Sequence, residues 1–371
     1  EAKEVQDDDD DNGFIDIMEI FRSKKQCSAC GSPGRRQQRR RSLYGEGEMC
    51  FGGETMAFDR IITLSLNPVI DTTLHLDGLN IRAENRVLEE HFEAAGKAVN
   101  VARALKRAGV ESTAVIAAGR DNWGRYLKAF SRDEIPFRVV FCPGNLRENI
   151  SLVIDGVEDV TRLMRSGFSL EEGALDEVMG HLSQLVTPHS LVVAAGRLPG
   201  GMDGDAFSDL CLRIQEMGAK IALDTSSLTL EQVKRIRPWM FKPNLDEFED
   251  LMGCRFQDED GVAAAARELR RVGVSHVLVS LGKDGMFYSG EAGAMRLTVP
   301  SLTVKSAVGA GDSLTAGFIA GYQAGLDWID CLRQACAFGS AACLVDGTNP
   351  PNEEDVKRIL QRVQVFRRDA L

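Results

Sequence analysis

Lys305-Ser306-Ala307-Val308-Gly309-Ala310-Gly311-Asp312-Ser313 runs directly into an apolar segment with helical patterning at 314–322. Two glycines free the backbone to approach a ligand closely. The helix that follows aims its first N–H groups, and the positive end of its dipole, at whatever occupies the turn. Asp312 plants a carboxylate at the same place. Donors for an anion beside a base are what phosphoryl transfer to a hydroxyl requires. Taken alone, the segment reads equally well as a tight turn with Asp312 as the helix N-cap. Two familiar phosphate loops are excluded. Neither Gly96-Lys97 nor Gly282-Lys283 is followed by Ser or Thr, and Leu314 stands where a dinucleotide fingerprint needs its third glycine.

The 371 residues, 44% hydrophobic, suffice for one large α/β domain or two ordinary ones. A net charge of −11 argues against general affinity for nucleic acid or anionic membranes, while leaving room for a local basic pocket. No apolar run reaches the length of a membrane span, and no secretory signal opens the chain. The nine cysteines are odd in number, and most of those beyond residue 140 lie in apolar patterns. There a reduced thiol behaves as a small core residue, so the expected setting is reducing and cytoplasmic.

Residues 1–55 differ in kind. An acidic run at 7–11 and a basic run at 35–41 are joined by Gly- and Ser-containing sequence with little apolar periodicity. Such a segment buries too little surface to offset its ordering entropy, so a disordered extension is expected, with a short helix possible only at 15–21. Cys27 and Cys30 have zinc-ligand spacing with Cys50 downstream, but the segment holds no His and a structural site needs four ligands. No metal is expected there. Patterned sequence begins at Met56, which makes 56–371 the folded domain.

Short apolar runs at 61–64, 113–118, 191–195, 221–223, 240–241 and 276–279 alternate with helical patterns at 204–217, 228–236, 245–252 and 262–272. Strands that are apolar throughout are buried on both faces, which implies an α/β domain with a mostly parallel sheet. Segments 74–76, 86–91 and 149–154 alternate apolar with polar instead, as a smaller sheet with one open face would, and are read as a cover over the site.

Ligands in open α/β sheets bind beyond the carboxyl ends of the strands. Five expected strand ends are polar: Asn67-Pro68-Val69-Ile70-Asp71, Gly196-Arg197-Leu198-Pro199, Asp224-Thr225-Ser226, Lys242-Pro243-Asn244 with Glu247 one turn on, and Ser280-Leu281-Gly282. Together they predict a polar crevice.

With these motifs in order, residues 57–362 resemble the PfkB family of sugar kinases related to ribokinase, and within it the branch of 1-phosphofructokinases and tagatose-6-phosphate kinases. The resemblance rests on five motifs. They are Ser65-Leu66-Asn67-Pro68-x-x-Asp71, Gly96-Lys97-x-x-Asn100-Val101-Ala102-Arg103, Lys242-Pro243-Asn244-x-x-Glu247, Val279-Ser280-Leu281-Gly282-x-x-Gly285, and Ala307 to Ser313 with Ala316-Gly317-Phe318. It implies a three-layer α/β/α ribokinase-like domain with a β-sheet lid from strands at 72–92 and 147–165, and a homodimer formed through the lids.

The resemblance also implies roles. Asp312 matches the catalytic base, with the backbone of Gly309, Ala310 and Gly311 holding the transferring phosphoryl group. Asp71, Gly96, Lys97 and Asn100 match substrate-binding positions, and Arg147 with Asn149 matches a lid pair whose arginine forks onto a phosphate already on the substrate. Lys242, Ser280, Gly282 and Gly285 match positions lining ATP, with Gly339 permitting close approach of the adenine. Asn244 and Glu247 match residues that organise Mg2+, through water.

The sequence also departs from the family. Ala95 and Ala98 replace glycines flanking Gly96-Lys97, which predicts a stiffer hinge and a cost for any positive φ there. By that resemblance Arg197 replaces a serine, Ser227 a glycine, and Ser151 a second basic lid residue, while Arg162 and Met164 stand where an acid and an asparagine are usual, with Arg165 beside them. The transfer machinery is intact and the substrate-facing parts have drifted. The implied activity is ATP- and Mg2+-dependent phosphorylation of a ketohexose phosphate, fructose 1-phosphate first, with tagatose 6-phosphate and fructose 6-phosphate as alternatives. A kinase for an unphosphorylated sugar or nucleoside, and a non-catalytic sugar-phosphate sensor, are the other readings.

Overall fold

Burial along the strands sets the layering. The computed structural model describes residues 57–157 and 159–368, all in the unit Thr55–Leu371. The charged runs, the 15–21 helix pattern and the Cys27/Cys30 pair fall outside the described residues. In β1 (Arg60–Ser65), Ile62 and Leu64 join one apolar cluster and Ile61 joins another. The same alternation separates Val192 and Ala194 from Leu191 and Val193 in β8 (Ser190–Ala195), and Ile221 and Leu223 from Ala222 in β9 (Lys220–Asp224). A sheet apolar on both faces must carry helices on both.

The other strands of the main sheet are β4 (Thr113–Gly119), β5 (Phe137–Cys142), β10 (Met240–Phe241), β11 (His276–Ser280), β12 (Met286–Gly290), β13 (Gly293–Thr298) and β14 (Gln364–Arg368). Their order is β14-β13-β12-β11-β10-β9-β8-β1-β4-β5. From β11 to β5 all pairings are parallel; β12, β13 and β14 add an antiparallel edge that the apolar runs did not predict.

One helical layer is α1 (Lys97–Arg107), α8 (Ala310–Gln323), α9 (Trp328–Ala342) and α10 (Glu353–Leu360), which supply Leu105, Phe318, Leu332 and Ile359 to the second cluster. The opposite layer holds α2 (Trp123–Phe130), α3 (Ala174–Leu185), α4 (Gly204–Glu216), α5 (Leu230–Ile236), α6 (Leu245–Met252) and α7 (Glu259–Arg271). Among the described residues, no helix is long and apolar enough to cross a membrane.

The smaller sheet is β2 (Val69–Leu76), β3 (Glu89–Ala95), β6 (Arg147–Ile154) and β7 (Thr161–Met164), in the order β3-β2-β6-β7. β2 begins five residues before the alternating pattern, because Val69 and Ile70 are buried in the core before the strand emerges from it. Residues 86–88, expected in a strand, precede β3. Arg125 of α2 fastens this sheet to the body. It donates to Glu148 Oε1 at 2.8 Å, to Thr72 Oγ1 at 3.3 Å and to Glu90, and its guanidinium lies 4.7 Å from the Phe92 ring centre.

Candidate active site

α8 begins at Ala310, four residues before its apolar pattern, so residues 310–313 are its first turn and not a loop leading into it. Gly309 is the N-cap at φ 79, a left-handed conformation that suits glycine. The Ala310 N–H is spent on Ala307 O at 3.4 Å and that of Ser313 on Gly309 O at 2.9 Å. Those of Gly311 and Asp312 meet no backbone acceptor among the described residues, which leaves two first-turn donors for an anion. A Cβ on Gly311 would sit 3.1 Å from Lys242 Nζ, so glycine is what lets that ammonium lie against the turn.

Asp312 is the third residue of α8 rather than its N-cap, and it is only 5% exposed. Its Oδ2 accepts a hydrogen bond from Asn100 Nδ2 at 2.8 Å. Burial, and then the charge of Asp224, push its carboxyl up to about 6, against the pull of Asn100, Lys97 and Lys242. A carboxylate so placed is ionised at neutral pH and still basic enough to take a proton from an alcohol in a transition state.

Asp224, at the carboxyl end of β9 and fully buried, ties both lysines to this carboxylate. Lys97 Nζ lies 2.7 Å from its Oδ1 and Lys242 Nζ 3.0 Å from its Oδ2. Burial works against the Asp224 anion, but Lys242 and Lys97 prevail and hold it below the ordinary carboxylate range. Burial likewise opposes the Lys97 ammonium, and Asp224 with Glu247, 3.5 Å away, raises it well above the usual lysine range. Three carboxylates and two ammoniums thus share one end of the sheet. Of these, Asp224 was noticed in the sequence only as a polar strand end and given no role.

The lid sheet has two chemically distinct faces. Pairings of Asp71 with Glu93 and with Asn149 put these residues on one face, with Arg147 two residues along. Asn149 Nδ2 donates to Asp71 Oδ1 at 2.7 Å. Burial raises the Asp71 carboxyl, opposed by that bond and by Arg147. Burial disfavours the Arg147 guanidinium too; Asp71 supports it, and Arg197 lies close enough to repel it. Glu93, also unassigned from sequence, accepts from Thr348 Oγ1 at 3.2 Å, and the Thr348 Cα is 3.6 Å from where a Gly309 Cβ would be. Thr348 therefore bridges the lid and the anion turn. Four buried side-chain atoms of the site lack a hydrogen-bond partner: Asn100 Oδ1, Asn149 Oδ1, Arg147 Nε and Asp224 Oδ2, the last of which is ion-paired with Lys242.

Gly96 is the N-cap of α1 at φ 132. Ala95 closes β3 and Ala98 sits inside α1, neither with positive φ, so the cost anticipated for these alanines does not arise. Asn244 and Glu247 form a capping box on α6: Asn244 Oδ1 accepts from Glu247 N at 2.8 Å, and Glu247 Oε2 from Asn244 N at 2.9 Å. That leaves Glu247 Oε1 directed to the lysine cluster. No group of three or more His, Cys, Asp or Glu suited to a metal occurs among the described residues. A sparse oxygen set of this kind fits Mg2+, which keeps most of its water and leans on phosphate oxygens.

Ser280 N donates to Pro243 O at 3.0 Å, which places Ser280 beside Asn244. Gly282, at φ 59, has open space where a side chain would be, whereas Gly285, at φ 96, backs onto the Leu297 carbonyl. Lys242 sits with the buried cluster, under the anion turn. A Cβ at Gly339 would meet Ala310 O and Leu314 Cβ at 3.1 Å each, so its small size serves the packing of α9 on α8.

Residues 64–355 match the family model for pfkB family carbohydrate kinases. The chain belongs to this family. It is a phosphotransferase with an alcohol group of a carbohydrate as acceptor and ATP as co-substrate. This kinase is 32% identical over 307 residues to the 1-phosphofructokinase of Rhodobacter capsulatus, covering 82% of the present chain and 97% of that protein. The phosphofructokinase-2 of Escherichia coli in complex with fructose-6-phosphate superposes with a TM-score of 0.75 at 24% identity, over 83% of the present chain and 99% of that one. The tetrameric inhibited form of the same enzyme gives 0.74 at 24% identity, covering 83% and 99%. At that identity the likeness is one of fold.

Proposed function

We propose that this kinase phosphorylates a ketohexose phosphate at a primary hydroxyl, with fructose 1-phosphate, converted to fructose 1,6-bisphosphate, as first substrate. The observation that carries the reading is the set of unpartnered buried atoms. Asn100 Oδ1 and Asn149 Oδ1 want donors and Arg147 Nε wants an acceptor. A polyol phosphate offers hydroxyl donors to the first two and phosphate oxygens to the third, so binding removes three desolvation penalties of about 1–3 kcal/mol each. The charge of Arg197 reaches Arg147, which strengthens the case for a phosphorylated substrate, since two guanidiniums within electrostatic range suit a dianion better than a neutral sugar. The 32% identity to a 1-phosphofructokinase supports the choice among ketohexose phosphates. Tagatose 6-phosphate and fructose 6-phosphate are the alternatives.

In this reading Asp312 takes the proton of the sugar hydroxyl as its oxygen attacks the γ-phosphorus in line, and Asn100 fixes the carboxylate. The N–H groups of Gly311 and Asp312, with Lys242 behind them, hold charge on the transferring phosphoryl oxygens; each such donor is worth roughly 3 kcal/mol in comparable sites. Asp71 and Asn149 grip the sugar. Glu247 and Asn244 would help hold Mg2+, which would supply charge neutralisation to the phosphates. Lid contact at Glu93–Thr348 excludes water from the transfer.

Dimerisation through the lid belongs to the same reading. Of the exposed large apolar side chains among the described residues, Leu79, Ile81, Leu88, Val157, Leu163 and Met164 all lie in or beside the lid strands. Exposed apolar residues concentrated in the lid suit a partner surface. The sensor alternative was favoured by the altered hinge at Ala95 and Ala98; neither residue has positive φ, so no backbone strain there adds to it.

The test is ADP release with Mg-ATP against fructose 1-phosphate, tagatose 6-phosphate, fructose 6-phosphate and fructose. The expected result is sugar-dependent turnover with kcat/KM highest for fructose 1-phosphate. Equal turnover of unphosphorylated fructose would overturn the phosphate specificity, and turnover of none would overturn the reading.

A further inference from the structure

A groove of 610 Å3 lies between α7 and the β12–β13–β14 edge, away from the site just described. Arg267, Arg270 and Arg271 line it from α7, and Arg368 from β14, with Asp260 the one acid in the lining. Arg367, in register with buried Met295, contributes backbone to the rim and places its side chain on the other face of the sheet. The floor facing α7 is small, with Ser289 paired to Ala294. Gathering four arginines along one groove runs against the balance of a chain with net charge −11.

Local bonds pre-orient part of this set. Arg270 Nη1 donates to Val274 O at 2.9 Å and to Ser275 O. Arg368 is bonded to Glu259, which also accepts from Arg296 Nε at 2.7 Å. Arg271 forms no ion pair among the described residues. The groove thus combines anchored guanidiniums with one that has no counter-charge.

We propose that this groove binds a multiply charged phosphate compound of nucleotide or sugar-bisphosphate size. Arginine forks match phosphate oxygens in pairs, and several oxygens on one ligand offset the mutual repulsion of the arginines. The volume lies within the roughly 300–1,000 Å3 of small-ligand sites. At the opposite end of β11 from Ser280, the groove is separate from the phosphoryl-transfer centre, and the proposal does not depend on which sugar is phosphorylated.

The test is calorimetric titration of the full chain with inorganic tripolyphosphate in 150 mM salt, about the physiological ionic strength. The variants are Arg271→Gln and, as a charge-matched control, Arg107→Gln. Wild type and control are expected to take up one more equivalent than Arg271→Gln, or to bind it at least tenfold more tightly, while all three keep the same melting temperature and sugar kinetics. Displacement by ADP or by fructose 1,6-bisphosphate then distinguishes a nucleotide from a sugar bisphosphate. Identical titrations of all three proteins, equal loss in the control, or displacement by neither compound would overturn the proposal.

Discussion

Asp312→Asn should trade chemistry for stability, and pH should control the size of the trade. In the folded protein the carboxyl is pushed from an ordinary 3.8 to about 6, chiefly by burial and by the charge of Asp224. At about 1.4 kcal/mol per pH unit, this amounts to ~3 kcal/mol of destabilisation carried above pH 6. The sign follows from proton uptake. A raised folded pKa means the native state holds the proton more tightly, so its contribution to stability is complete below about pH 4 and lost as pH rises through about 6. The amide carries no charge and can still accept from Asn100, so it escapes the penalty. Melting temperatures at pH 7.5, 6, 5 and 4 are the assay. The variant should melt several degrees above wild type at pH 7.5, given about 2–4 °C per kcal/mol in a domain of this size. The gain should shrink through pH 6 and vanish near pH 4. Turnover should fall by about 10²–10⁴ with loss of the base. A variant less stable than wild type at pH 7.5, or a gain independent of pH, would refute the electrostatic account of this cluster.

The remaining predictions concern neighbouring parts of the same machinery. Wild-type kcat/KM should decline about tenfold per pH unit below about 6, because only the Asp312 anion accepts the proton; a flat profile to pH 5 would argue against it as base. Arg197→Ser should raise KM for the sugar phosphate about tenfold, the worth of a charge-assisted hydrogen bond, and leave KM for ATP unchanged in steady-state assays. Arg125→Ala leaves buried Glu148 with Arg165 as its remaining ion-pair partner and frees the lid from α2. Sugar KM should rise and ATP hydrolysis without sugar should increase, with an Arg125→Lys variant recovering part of the loss. Gly311→Ala would crowd Lys242 Nζ and should lower kcat about 10–100-fold with little change in sugar KM, read by initial rates.

What was legible in the sequence follows from what is local. The anion turn and Asp312 lie within one run of residues, and the apolar pattern of α8 announces the helix they begin. The parallel strands were readable because β1, β8 and β9 are apolar on both faces, which few other structures tolerate. The antiparallel edge was not. β12 and β13 are five- and six-residue strands joined at Gly290 and Gly293, and their periodicity is too short to separate from loop. The hub role of Asp224 was hidden for another reason. Lys97 lies 127 residues before it in the chain, and only the strand order brings β9 beside the start of α1. At Gly339 the packing of α9 on α8 was not legible, because a helix–helix contact and a ligand contact make the same demand for a missing side chain. Ala95 and Ala98 looked like strain because the sequence does not reveal that only Gly96 needs positive φ.

The most direct test of the central claim is 31P NMR of the reaction of Mg-ATP with fructose 1-phosphate, run to completion with wild type and with Asp312→Asn. The account predicts one new sugar-phosphate resonance for each ADP formed, with the original phosphate retained, and no such resonance from the variant on the same timescale. ADP without a new sugar-phosphate resonance, or a variant within tenfold of wild type, would contradict it.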